Sequence, residues 1–112
     1  MMNMYRSDLM RLYYASQIPD LLYLDIDTLM IRRPDFKSTG KPYFFNGDIR
    51  IFYVNGQTEW FTRLLETITT QLVPGPFVIY NYVKQLYREG PSLFRMDAKA
   101  FFVTDFGQRW KV

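Results

Sequence analysis

Leu21-Leu22-Tyr23-Leu24-Asp25-Ile26-Asp27-Thr28-Leu29-Met30-Ile31-Arg32-Arg33 decides how the rest of the chain reads. Leu21 to Leu24 is an apolar run with the length and composition of a strand buried on both faces, and Asp25 and Asp27 follow it directly. Ligands of open α/β sheets bind outside the carboxyl ends of strands, so a strand that breaks into Asp-x-Asp is placed for a ligand site. Spaced by two in extended chain, both carboxylates point to the same side. Like charges on one side repel unless neutralised. A hard divalent cation with oxygen ligands, Mg²⁺ or Mn²⁺, does this while bridging to substrate phosphates. Taken alone, Asp-x-Asp reads first as the solvated end of a strand; its neighbours in sequence reverse that.

The composition bounds what can be built around this stretch. With 112 residues, 48% hydrophobic and 19% aromatic, the chain buries one core and reads as a single domain over residues 1–112. It has no uninterrupted apolar run of the roughly 18 residues that a membrane span needs, and Met1-Met2-Asn3-Met4-Tyr5-Arg6 lacks the pattern of a signal peptide. The expected compartment is therefore the cytoplasm. There is no cysteine and no histidine. Thiol nucleophiles, zinc-thiolate sites and His-dependent triads are excluded, so acid-base and metal chemistry falls to Asp, Glu, Tyr, Lys and Arg. A net charge of +3 suits an anionic ligand such as a nucleotide phosphate and is also ordinary for a soluble protein.

Upstream, Ser7 is placed as an N-cap with Asp8 in the first turn, and Leu9, Leu12, Tyr13 and Ser16 recur at helical spacing, which predicts a helix from about Asp8 to Ser16. Asp8 and Arg11 share a face of it, different from the face of Leu9 and Tyr13; read by themselves they make a surface ion pair. Ile18-Pro19-Asp20 breaks the helix and feeds the strand. Downstream, Thr28 to Ile31 continue apolar and a loop follows through Pro42. Tyr43-Phe44-Phe45, an Asn46-Gly47 turn and Ile49 to Val54 read as two strands, and Asn55-Gly56 closes the second. Phe61, Leu64, Leu65, Ile68 and Leu72 mark a helix from about Glu59 to Leu72. Pro74-Gly75-Pro76 then opens another that runs to Gly90-Pro91, and Leu93 to Met96 and Ala100 to Thr104 read as short strands. Basic and aromatic residues interleave at Tyr80, Tyr82, Lys84, Tyr87 and Arg88, but helical spacing assigns most of these to core and rim, so nucleic acid is not an expected partner.

Ser7-Asp8-Leu9-Met10-Arg11 followed by Tyr23-Leu24-Asp25-Ile26-Asp27, with Pro34 a few residues on, resembles the D-x-D sugar-binding region of GT-A glycosyltransferases. The pattern S-D-x-x-R, then Y-L-D-x-D, is that of the mannosyl- and galactosyltransferase-like enzymes of family 32 and of the glucosylating clostridial toxins. The glycogenin-like family 8 is similar over the second half of the pattern only. The resemblance implies a minimal or partial GT-A fold, α/β with a mixed sheet and helices on both its faces. It implies a retaining, metal-dependent transfer of sugar from a nucleotide-diphosphate sugar to an acceptor that the sequence does not identify. Asp25 and Asp27 would be the catalytic, Mn²⁺- or Mg²⁺-binding pair, with Asp27 ligating directly. Asp8, Arg11, Tyr23 and Asn46 would contact the donor.

Two departures qualify the resemblance. Relatives carry a Rossmann-like portion that holds the nucleotide base ahead of S-D-x-x-R, and about six residues precede it here. The expectation is that a missing N-terminal half or a second copy of the chain completes the sheet, whose edge would otherwise stand open. A C-terminal metal ligand, often His in family 8, has no histidine to supply it, which leaves Asp97, Asp105, an Asn or water. The alternative function is a non-catalytic nucleotide-sugar or carbohydrate binding module, or an inactive remnant of such an enzyme.

Overall fold

A computed structural model describes residues 2–36, 40–45, 49–71, 78–89, 94–96 and 98–103. Helix α1 spans Met2–Gln17 and leads through a turn into strand β1, Leu22–Leu24. Strands β2 (Leu29–Met30), β3 (Tyr43–Phe45) and β4 (Ile51–Tyr53) follow, then helices α2 (Thr58–Gln71) and α3 (Val78–Glu89). Strand β5 (Phe94–Met96), a turn of 3₁₀ helix (Ala98–Ala100) and strand β6 (Phe102–Val103) complete the order.

The main sheet runs β1-β4-β3-β5. β4 is antiparallel to both neighbours, with Tyr23 opposite Phe52 and Phe52 opposite Phe44, and β3 is parallel to β5. It is a mixed sheet, and β2 and β6 form a separate antiparallel ribbon. Strand alternation divides the aromatic residues between its two faces. Phe44 and Phe52 point to one side, where they share a core with Leu12 and Ala15 of α1, Phe61, Leu64 and Ile68 of α2, and Ile79 and Val83 of α3. Tyr43, Phe45 and Ile51 point to the other, against Phe102 of the ribbon and Phe36 of the preceding loop.

Several expectations change here. All three helices lie on one face of the sheet, not on both; Phe36, Phe101 and the ribbon cover the other. β1 is a half-buried edge strand, not one buried on both faces. Helix α1 begins at Met2, so Ser7 lies inside it and caps nothing. Its core positions are Leu12 and Ala15, while Tyr13 and Tyr14 are about half exposed. Thr28 to Ile31 contains a strand that no alternation announced, and both its residues are exposed. Among the described residues, no helix is long and apolar enough to cross a membrane.

Candidate functional site

Two backbone hydrogen bonds build the turn that carries the carboxylates. Asp25 N–H donates to the Arg50 carbonyl at 3.0 Å, the last rung between β1 and β4. Thr28 N–H then donates back to the Asp25 carbonyl at 3.0 Å, closing a β-turn over Ile26 and Asp27. The strand has ended before Asp27, so alternation along an extended chain does not set the relative direction of the two aspartates. Ile26, at the head of the turn, is fully exposed.

Arg11 comes to this turn from α1. Asp8 and Arg11 lie on the side of the helix that meets the sheet, and their side chains are only 15% and 12% exposed, so theirs is not a surface pair. The guanidinium sits 4.3 Å above the Tyr23 ring. Its Nη2 is 3.3 Å from Asp25 Oδ1, Nη1 is 3.8 Å from Asp8 Oδ1, and Nη1 donates to the Ile49 carbonyl at 2.9 Å. Tyr23 O–H donates to the same Asp25 oxygen at 3.3 Å. The planar fork of arginine reaches two carboxylates and a carbonyl at once, which the single ammonium of a lysine does not match. Arg11 Nε is buried without a hydrogen-bond partner among the described residues.

Burial dominates the electrostatics. The Asp8 carboxyl is pushed above its usual value by desolvation, against the pull of Arg11, with the Asp25 charge adding to the rise. Asp25 moves the same way for the same first reason; Arg11, the Tyr23 hydroxyl and the Arg50 charge oppose it, and the nearby Asp27 charge reinforces it. The Tyr23 hydroxyl is raised too, again first by burial.

Of the residues singled out in sequence, Asp8, Arg11, Tyr23 and Asp25 converge, and Asp27 stands on the same turn. Asn46 lies outside the described residues, as do Asp97, Asp105 and the Gly75-Pro76 pair. Ile49 and Arg50 belong to the site and were not foreseen. Ile49 enters through its backbone carbonyl, which any residue supplies; Arg50 enters through its carbonyl and also through its charge, which opposes the rise of the Asp25 carboxyl, and the pairing of their strand with β1 brings both near. The chain matches no family model, no curated protein and no solved structure.

Asp25 and Asp27 are the side-chain oxygen donors that this turn could offer a small hard cation. Among the described residues there is no group of three acidic side chains that could hold a metal. Mg²⁺ and Mn²⁺ sites that work with phosphates often use one or two carboxylates and leave the other positions to water and ligand oxygens. Asp27 is in no ion pair among the described residues, and Asp25 meets Arg11 and Tyr23 through one of its two oxygens.

Proposed function

We propose that this chain carries the donor-sugar part of a metal-dependent glycosyltransferase acting on a nucleotide-diphosphate sugar. The observation that supports the reading is the convergence of Asp8, Arg11, Tyr23 and Asp25 from two separate stretches of sequence onto one turn. Those are the positions that the S-D-x-x-R and Y-L-D-x-D resemblance singles out. A divalent cation at Asp25 and Asp27 would supply Lewis-acid stabilisation of the departing diphosphate.

The chain's own residues do the rest. Arg11 holds Asp25 in place and presents a cation beside the turn, where phosphate or sugar oxygens can meet it. Asp8, fixed by Arg11, accepts hydrogen bonds from donor hydroxyls and orients the sugar. Tyr23 anchors the stack beneath the guanidinium, and its hydroxyl stays protonated as a donor to Asp25. No enzyme base is required for a retaining front-face transfer, so the absence of histidine is consistent with the reading.

One observation favours a second reading. Arg11 already balances Asp8 and Asp25 within the fold, which a non-catalytic sugar or nucleotide-sugar binding module would retain without any metal. Calorimetric titration with UDP-glucose, UDP-galactose and GDP-mannose, with and without Mn²⁺, separates the two. The transferase reading expects binding that needs Mn²⁺ and is lost in Asp27→Asn while the circular dichroism is unchanged. Metal-independent binding that survives Asp27→Asn supports the module. A folded chain that binds no donor removes the transferase reading.

A further inference from the structure

We infer that the ribbon side of the sheet carries a binding cleft for a neutral oligosaccharide, built on Arg33, Phe36 and Tyr53, with Asp35 in one lobe and Asp20 in the other. The inference does not rest on the donor-site reading. Arg11 and Tyr23 meet on the helix side of the sheet, and the cleft lies across the sheet from them.

Local structure makes the cleft. Strand alternation turns Leu22 away from the Tyr23 side, to the face where Tyr53 stands opposite it in the ladder. Phe36 crosses that face and stacks on Tyr53, with ring centroids 4.2 Å apart and 28° between the planes. Pro34, buried between Arg33 and Asp35, restrains the backbone that presents both. Arg33, Pro34, Phe36 and Tyr53 line two cavities, of about 400 Å³ and about 350 Å³, which therefore adjoin as lobes of one cleft. Small-molecule sites run from roughly 300 to 1,000 Å³, so each lobe is large enough to hold part of a ligand.

The lining selects that ligand. Phe36 and Tyr53 are half-buried and keep apolar ring surface open to the cleft. Arg33, Asp35 and Asp20 are exposed, and among the described residues neither they nor the Tyr53 hydroxyl has an ion pair or a hydrogen bond. The guanidinium offers only donors and the carboxylates only acceptors. A sugar hydroxyl is donor and acceptor at once, and a pyranose adds an apolar C–H face that packs on an aromatic ring. Two carboxylates to one guanidinium oppose a phosphate, and a guanidinium lining both lobes opposes a simple cation. A free amino acid satisfies the guanidinium and one carboxylate and leaves the other lobe unused. Each lobe repeats the same chemistry, one carboxylate beside the shared Arg33 and the two rings. The ligand that uses both lobes has repeating units, as an oligosaccharide does.

Nuclear magnetic resonance titration of the ¹⁵N-labelled chain tests this, reading the Arg33 Nε–H and the amides of Asp35, Phe36 and Tyr53. The probes are maltose, cellobiose, lactose and α-mannobiose, with putrescine, phenylalanine and glucose 1-phosphate as the cationic, zwitterionic and anionic comparisons. The titrations contain no metal and no nucleotide, so failure of the donor site does not touch them. The expected result is a saturable shift of the cleft signals with a disaccharide, at lower concentration than with its monosaccharide, and none with the charged probes. Arg33→Gln should weaken that binding about tenfold, because it removes a charged donor. Asp20→Asn and Asp35→Asn should each weaken it too. All three side chains are exposed, so the variants should keep the fold, and unchanged amide signals in α2 check that they do. A folded chain whose cleft signals stay in place with all four disaccharides overturns the inference. So does a response to a charged probe in place of the disaccharides, or disaccharide binding that Arg33→Gln leaves at full strength.

Discussion

Arg11 is the residue on which the site's order depends, and its neighbours show why. It holds two carboxylates that burial has already made reluctant to ionise. Removing it takes from both the charge that most opposes the effect of their burial, so Arg11→Ala should cost about 2 kcal/mol of unfolding free energy. Adding Asp8→Asn and Asp25→Asn to an Arg11→Met chain should recover most of that loss in urea titrations, since no charge is then stranded. A charge network that matters only for its own internal balance and one that waits for a ligand respond alike in this test; donor titration separates them. Protonation offers an independent check. With both carboxyl pKa values raised above 3.8 in the folded chain, the folded state keeps protons that the unfolded chain releases as pH rises past 3.8. More protons bound to the folded state means that unfolding free energy falls with rising pH in that window. The favourable contribution is complete below 3.8 and lost as pH climbs through the folded values. Subtracting the stability of Asp8→Asn/Asp25→Asn from that of the unaltered chain, pH by pH, should give a difference that declines over the window; a difference that grows would reverse the sign assigned to burial.

At the scale of elements, the turn after β4 shows what sequence discloses well. Asn55-Gly56 reads as a strand end, and both residues have positive φ, 54° and 78°, with Gln57 N–H donating to the Val54 carbonyl at 3.0 Å. Asn and Gly are the residues that tolerate that conformation. The turn also ties the entry of β1 to the exit of β4, because Gly56 N–H donates to the Pro19 carbonyl at 2.8 Å. A Cβ at Gly56 would meet nothing within 4 Å, so Gly56→Ala should cost only the backbone strain, about 1 kcal/mol. Asn55→Ala should cost at least as much, since it also forfeits the bond from Nδ2 to the Lys41 carbonyl at 2.8 Å. Denaturant midpoints of the two variants check this. Helix α2 was legible for a similar local reason: Phe61, Leu64 and Ile68 repeat at one helical face and are buried as that repeat requires. The face of α1 was harder, because Tyr13 is as apolar as Leu12 on a periodicity count yet sits on the outer side. The two-residue strand β2 is too short for any period to register, and only its pairing with β6, far along the chain, makes it a strand.

Across the whole molecule, the asymmetry of the two sheet faces is what sequence least foretells. Alternation in Tyr43-Phe44-Phe45 and Ile51-Phe52-Tyr53 says that both faces carry large apolar side chains, and the natural inference is helices on each. The chain instead puts all three helices over Phe44 and Phe52 and closes the other face with a loop residue and a ribbon. Phe36 does much of that closing: its ring stacks on Tyr53 at 4.2 Å and meets Tyr43 edge-on at 5.1 Å. The two faces should therefore fail differently. Phe52 is fully buried between Tyr23, Phe44 and Phe61, so Phe52→Ala should cost about 3–5 kcal/mol and unfold sheet and helices together. Phe36 is half-buried and touches no helix core, so Phe36→Ala should cost less, about 1–3 kcal/mol. The distinguishing readout is native-state hydrogen exchange. In Phe36→Ala the amides bonded in the ribbon, and that of Ile31, which donates to the Phe101 carbonyl at 2.7 Å, should exchange faster. The amides of α2 should keep their order of protection. If α2 loses protection in step with the ribbon, the two faces form one cooperative unit. Phe36 would then belong to the same core as Phe52, despite lying across the sheet from it.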